Sequence, residues 1–258
     1  MNRLSYLAPY GLQLKQVAGW LLPAAIYRPL SAWRQRFSAP HWGNMRRLTP
    51  VSRKFGYDRG FCIDRYYIEA FLRENSHYIQ GRVLEVANSA YTTKFGGSRV
   101  TQADVLHLEP GHPHTTLVGN LTTGENIPTA AFDCIILTQT YSFIYGVQAA
   151  VENSLAALKP GGALLATFPG ISQISRYDME RWGDYWRFTD ASARALFGSV
   201  FGDDNITINT CGNVLAACAF LHGLASHELT PSELEYHDPD YQLVITVKAV
   251  RKAGHAPL

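Results

Sequence analysis

The chain has 258 residues, 47% of them hydrophobic, a net charge of +2 and four cysteines. It is long enough to bury one large core, or one core plus an appendage. Cys62, Cys134, Cys211 and Cys218 are scattered with no CxxC pair, which argues against a zinc knuckle or a disulfide framework and fits a reducing cytosol.

The small net charge hides an asymmetry. Residues 1–60 carry ten bases and one acid, Asp58, while the rest of the chain carries thirteen bases and twenty acids. A basic arm on an acidic body implies a surface that meets something anionic: a phosphorylated substrate, a membrane face, or the body itself. Within this arm, residues 12–37 predict one or two short helices, interrupted at Pro23 and Pro29. Trp20, Leu21, Leu22, Ile26 and Tyr27 would form an apolar face beside Arg28, Arg34 and Arg36. Such a segment either lies peripherally on a membrane or packs across its own domain as a lid. Its apolar run, residues 17–26, is broken by Pro23 and lacks a small-residue cleavage site. The run also falls short of the roughly 20 residues a bilayer span needs. A cytoplasmic location is expected.

Residues 61–253 are expected to form the main domain, with 254–258 as a tail. A helix is predicted from Ile63 or Asp64 to about Ile79, because Ile63, Tyr67 and Phe71 repeat at i, i+4, i+8. Gly81 stops it. A strand over residues 82–86 ends near Glu85, a second ends in Asp104, and a third ends near Gly119 and Asn120. The fourth strand covers 132–138 and leads through a helix, 147–158, to a Pro160-Gly161-Gly162 turn and a fifth strand, 163–168. Thr189 or Asp190 caps a helix reaching about Phe197. Further strands are predicted over 205–210 and 242–250, with an apolar helix over 214–225 between them. Thr230-Pro231-Ser232-Glu233 is a capping box with Pro at the first helical position. Alternating strands and helices predict an α/β fold with a parallel sheet and crossover helices. Ligands in such a sheet sit outside the carboxyl ends of the strands.

The segments 83–86, 100–104, 132–136, 158–162 and 184–189, in this order, resemble class I S-adenosylmethionine-dependent methyltransferases over residues 63–251. The chain is similar in particular to bacterial members found among glycan and secondary-metabolite genes. The resemblance implies a Rossmann-like three-layer sandwich with a seven-stranded, mostly parallel sheet whose last strand is antiparallel. It implies S-adenosylmethionine as cofactor. The activity it implies is methyl transfer to a hydroxyl of a small molecule or glycan. No nucleic-acid partner is expected, because the chain carries no RNA-binding domain signature.

On that resemblance, Asp104 would accept the ribose hydroxyls, with Val105 beside it; its bland alternative is a helix cap. Asn120 and Leu121 would hold the adenine, and Thr138 and Gln139 would lie near the methionine part. Glu85 would order the first loop. The family's glycine-rich first loop is replaced by Ala87-Asn88-Ser89-Ala90-Tyr91-Thr92. Either Tyr91 and Thr92 supply side-chain contacts where glycine backbone normally would, or the cofactor site has decayed and the chain is a catalytically silent binding or scaffold subunit. Ahead of the sheet, Arg59 or Arg65 could meet the methionine carboxylate, and Tyr66 or Tyr67 could form a lid.

The polar-aromatic stretch 175–189 is expected to rim the acceptor cleft. Asp178, Asp184, His107 and Tyr177 are the candidate bases for taking a proton from an attacking hydroxyl. His112 and His114 form an HxH pair on a Pro/Gly loop, which is weak evidence for a metal, and none is expected. The acceptor's identity and the oligomeric state are left open by the sequence.

Overall fold

Residues 43–253 are described by the structure, a computed structural model. The helices expected within residues 12–37 and the tail 254–258 lie outside the described residues. The chain divides into two units, Met1–Leu48 and Thr49–Leu258. Of the first, Gly43–Met45 forms one short 3-10 turn.

The second unit is built around strand β1 (Gly81–Val86), paired in parallel with β2 (Val100–His107) on one side and β4 (Phe132–Thr138) on the other. The two-residue β3 (Leu117–Val118) follows β2, and β5 (Leu158–Pro169) follows β4, again in parallel. The last strand reverses direction: β7 (Val244–Val250) runs antiparallel between β5 and β6 (Ile206–Cys211). The order β3-β2-β1-β4-β5-β7-β6 is the expected seven-stranded, mostly parallel sheet.

The helices are α1 (Ile63–Glu74), α2 (Val147–Ala157), α3 (Arg176–Met179), α4 (Asp190–Phe201), α5 (Val214–Leu221) and α6 (Pro231–Glu235). Because strand side chains alternate between faces, each strand feeds two cores. Val83, Cys134, Ile136 and Leu165 meet Ile63, Ile68 and Leu72 of α1 and Phe220 of α5. Leu84, Ile135, Leu137 and Leu164 meet Val151 and Leu155 of α2 and Phe197 of α4. The result is three layers, helices on both faces of the sheet. No helix among the described residues is long and apolar enough to cross a membrane.

Several boundaries differ from the sequence reading, each for a local reason. Helix α1 stops at Glu74, where the Asn75 side-chain amide donates to the Phe71 carbonyl and a 3-10 turn, Ser76–Tyr78, takes over. Helix α4 runs past Phe197 to Phe201 before Gly202 (φ +83°) ends it. Helix α5 ends at Leu221, because the chain turns at Gly223 (φ +70°) against the backbone of Ser52. Strand β5 begins at Leu158, so the expected 160–162 turn lies within its irregular first part. Most consequential, β2 does not end at Asp104 but continues to His107.

The segment just before α1 packs with the sheet domain. The amides of Val51 and Ser52 both donate to the His222 carbonyl, at 2.8 and 3.0 Å, and Arg59 pairs with Glu228.

Candidate functional site

A cleft of about 1400 Å³ opens outside the carboxyl ends of the parallel strands. Its floor is made by residues 86–88 at the end of β1, 106–108 at the end of β2, 119–122 after β3, 138–140 at the end of β4 and Pro169 of β5. Residues from the segment before α1 and from the stretch 172–187 form its walls.

The first loop is anchored from below. Glu85, buried at the end of β1, accepts hydrogen bonds from the amides of Tyr91 (3.2 Å) and Thr92 (2.8 Å) and from the Thr92 hydroxyl (2.8 Å). Burial pushes its carboxyl up, and these bonds pull it down without cancelling that effect. Ala87 then takes φ +69°, the left-handed conformation that glycine adopts without strain, and its amide donates to the Leu106 carbonyl at 3.2 Å. Asn88 closes the turn by accepting from the Ala90 amide at 2.9 Å. Ala87, Asn88 and Tyr91 line the cleft; Thr92 is buried beneath it and acts only on Glu85.

Above this loop, Arg65 donates to the hydroxyls of Tyr57 (3.0 Å) and Tyr91 (3.3 Å), and its amide donates to Asp64 (2.8 Å). Burial pulls the Arg65 guanidinium down, but the Asp64 carboxylate and the two phenols outweigh it and leave it above its ordinary value. Burial also raises Asp64 and Tyr91, against the opposing pull of Arg65. Arg65 therefore stays cationic inside the cleft. Tyr67 does not share the site. Its hydroxyl donates to the Leu234 carbonyl at 2.8 Å, and it borders a separate cavity of about 410 Å³.

Asp104 also falls outside the cleft, contrary to expectation. It sits within β2, where its carboxylate accepts from Arg82 (2.7 Å), Gln102 (3.1 Å) and Thr116 (3.3 Å). Val105 is a core residue whose amide donates to the Thr116 hydroxyl at 2.8 Å. The end of β2 is instead held by His107, whose Nδ1 faces the Glu109 backbone. Its ring stacks on His112 at 4.9 Å and meets the edge of Trp182 at 5.5 Å. Asn120 and Leu121 line the cleft, with the Asn120 side-chain oxygen accepting from the Thr122 amide at 2.8 Å. Thr138 lines it too, as does Gln139, whose φ is +54° and whose amide donates to the Thr167 carbonyl at 2.9 Å.

At the rim, Ser175 caps α3 and donates to the Asp178 carboxylate at 2.6 Å. The Asp184 side chain is only 1% exposed and is gripped by Arg187 at 2.6 and 2.9 Å, with the Ser175 amide donating to it at 3.0 Å. So engaged, it anchors the rim. Asp178, His107 and Tyr177 also line the cleft and keep access to it. Trp186 packs the rim, donating to the Ile144 carbonyl at 3.0 Å and stacking on Tyr145.

Sequence reasoning missed Tyr57, Phe61, Asp64, Phe143 and Tyr145 as lining residues. The signal for the first three was the polar-aromatic density of residues 57–67, around the start of α1. Phe143, in a 3-10 turn after β4, and Tyr145, two residues beyond it, have none. Among the described residues, no group of three or more His, Cys, Asp and Glu side chains is close enough to hold a metal ion.

No protein-family model matches the chain, and no curated protein matches it in sequence. Among solved structures it is similar to the N-methyltransferase NodS from Bradyrhizobium japonicum, with 13% identity, a TM-score of 0.47, and coverage of 78% of this chain and 94% of that one. It is similar to a SAM-dependent methyltransferase from Archaeoglobus fulgidus at 9% identity and a TM-score of 0.48, over 72% and 94% of the two chains. A third is a phosphoethanolamine N-methyltransferase of Haemonchus contortus, at 14% identity and a TM-score of 0.46, over 78% and 60%. The fold assignment rests on the strand order itself, not on these distant likenesses.

Proposed function

We propose that the chain is an S-adenosylmethionine-dependent methyltransferase acting on a hydroxyl of a small molecule or glycan. The observation that carries this reading is the open cleft across the carboxyl ends of consecutive parallel strands, entered by a loop that a left-handed residue turns at Ala87. The protein's own side chains leave about 1400 Å³ there, ample for a nucleoside and an acceptor.

The residues present fit the cofactor. At Ala87 the backbone adopts the conformation for which the family uses glycine, and only a methyl group is added. The 87–91 loop would hold the methionine part, with Arg65 available to its carboxylate. Asn120 and Leu121 would flank the adenine. Because Asp104 is committed to Arg82, the ribose would meet the β2 end at His107 and Leu108. The cofactor supplies a methyl group already activated on a sulfonium. The chain's task is to align the acceptor and to accept the hydroxyl proton. Asp178, His107 and Tyr177 are the residues on the cleft wall able to take it.

The competing reading, a silent binding subunit, draws on the alanines that replace glycines at 87 and 90. Calorimetric titration with S-adenosylmethionine and S-adenosylhomocysteine separates the two. Saturable heat with one site per chain is expected. Silence from both ligands would leave the scaffold reading standing and remove the methyltransferase.

A further inference from the structure

The cleft holds more positive charge than its own acids can match. Six Lys and Arg residues and four Asp and Glu residues line it. Two of the acids are ion-paired, Asp64 with Arg65 and Asp184 with Arg187, while Glu85 is bonded by the first loop and Asp178 by Ser175, which leaves four cations against two acids. Among the described residues no carboxylate lies within ion-pair distance of Arg53, Arg176 or Arg181. Nor can the remaining residues supply one from a side chain, since 1–42 and 254–258 contain no Asp or Glu. Lys54 is also on the wall, although its charge is partly answered by Asp58.

The segments that carry these cations are tied to each other. The Gln173 side chain donates to the Arg53 carbonyl at 3.3 Å, which ties the segment before α1 to the strand-to-α3 connection that carries Arg176. Arg181 lies 3.6 Å above the Tyr177 ring and donates to the Tyr177 carbonyl, leaving most of its five N–H groups unused. Tyr177, Trp182 and Tyr185 supply ring faces beside them. A bound methyl donor would add a net positive charge, since a sulfonium and an ammonium stand against one carboxylate. An amine acceptor would then be repelled, whereas an anion would complete the site.

We propose, resting on the methyl-transfer reading, that the acceptor is an anionic ring compound. Its phosphoryl, sulfate or carboxylate group sits between Arg53 and the Arg176–Arg181 turn, and its ring lies on the aromatic wall. The anion is an anchor distinct from the methylated oxygen: it sets specificity and takes no part in bond changes.

The test uses the full chain in calorimetry, first with S-adenosylhomocysteine, then with phenyl phosphate, benzoate and neutral benzyl alcohol in its presence. At least one anion is expected to bind about tenfold more tightly than benzyl alcohol, with an advantage that shrinks as NaCl rises. Arg176→Ala and, independently, Arg53→Gln should each weaken that anion about fivefold or more, with S-adenosylhomocysteine affinity unchanged. Phenyl phosphate ahead of benzoate assigns a phosphate ester, and the reverse a carboxylate. Equal binding of benzyl alcohol, or indifference of the anion to both substitutions, overturns the proposal. If S-adenosylhomocysteine fails to bind while an anion binds and is lost in the variants, the anionic site stands and the methyl-donor reading falls.

Discussion

Ala87 and Gln139 hold left-handed backbone at the carboxyl ends of the adjacent strands β1 and β4, with φ of +69° and +54°. A side chain in this region costs on the order of 1 kcal/mol relative to glycine. Both residues are held there by backbone bonds to neighbouring strands, Ala87 to Leu106 and Gln139 to Thr167. Two such residues at the mouth of one cleft fit the tendency of strained backbone to gather at functional sites. Asp104 has the opposite character: it carries a carboxylate but no access to the cleft. Its charge-assisted bond to Arg82 at 2.7 Å is half-buried. Asp104→Asn should therefore cost about 1 kcal/mol of stability in urea denaturation and leave S-adenosylhomocysteine affinity unchanged. Weakened affinity at unchanged stability would return the ribose to this residue.

At the scale of elements, what the sequence made legible was whatever periodicity or local chemistry controls. The apolar runs of β1, β4 and β5 read as strands because they are buried on both faces. The short helix α6 read correctly from its own capping box, Thr230 to Glu233. Misreadings arose where a distant residue decides. Nothing near Leu221 announces that Ser52 will press against Gly223 and end α5. For β2 the signal was present but was passed over. Val105 and Leu106 continue the apolar run beyond Asp104, and punctuation comes only at Pro110 and Gly111. Expecting an acid at a strand end placed that end too early, and set Asp104 at a cleft it does not line.

Arg251 shows the same limit at the far end of the chain. Buried just beyond β7, it donates to the carbonyls of Leu155 (3.3 Å), Ala156 (3.1 Å) and Leu158 (2.6 Å) where α2 ends. A cation there satisfies orphan carbonyls and opposes the negative end of the helix dipole. Arg251→Met should destabilise the domain by about 2 kcal/mol, read as a lowered urea midpoint. Arg251→Lys should recover much of that loss, because all three carbonyls are met by one nitrogen, Nη1, which an ammonium can replace. An unchanged midpoint in both variants would mean that water replaces the guanidinium.

For the sheet domain as a whole, acid sensitivity follows from where its carboxylates are held. Arg59, on the segment before α1, grips Glu228 through Nε at 2.9 Å, joining parts of the chain far apart in sequence. The hydrogen bond from Arg59, helped by the Ala225 amide, holds the Glu228 carboxyl down at about 2, against an ordinary value of 4.5. A depressed folded-state value means that the unfolded chain binds the proton first as pH falls. The pair's contribution is thus complete above the unfolded value and disappears between there and about pH 2. Glu85 and Asp64 run the other way, since burial raises both and favours their protonated forms in the folded state. The whole-chain acid profile mixes these opposite signs, so the pair has to be isolated by difference. Wild type should exceed Glu228→Gln in stability by about 1 kcal/mol near pH 7, a modest value because both side chains are partly exposed and screened. In urea titrations the difference should close as pH falls through about 4 toward 2 and shrink in high salt. A difference that stayed constant down to about pH 2 would show that the link between these segments is packing and not the ion pair.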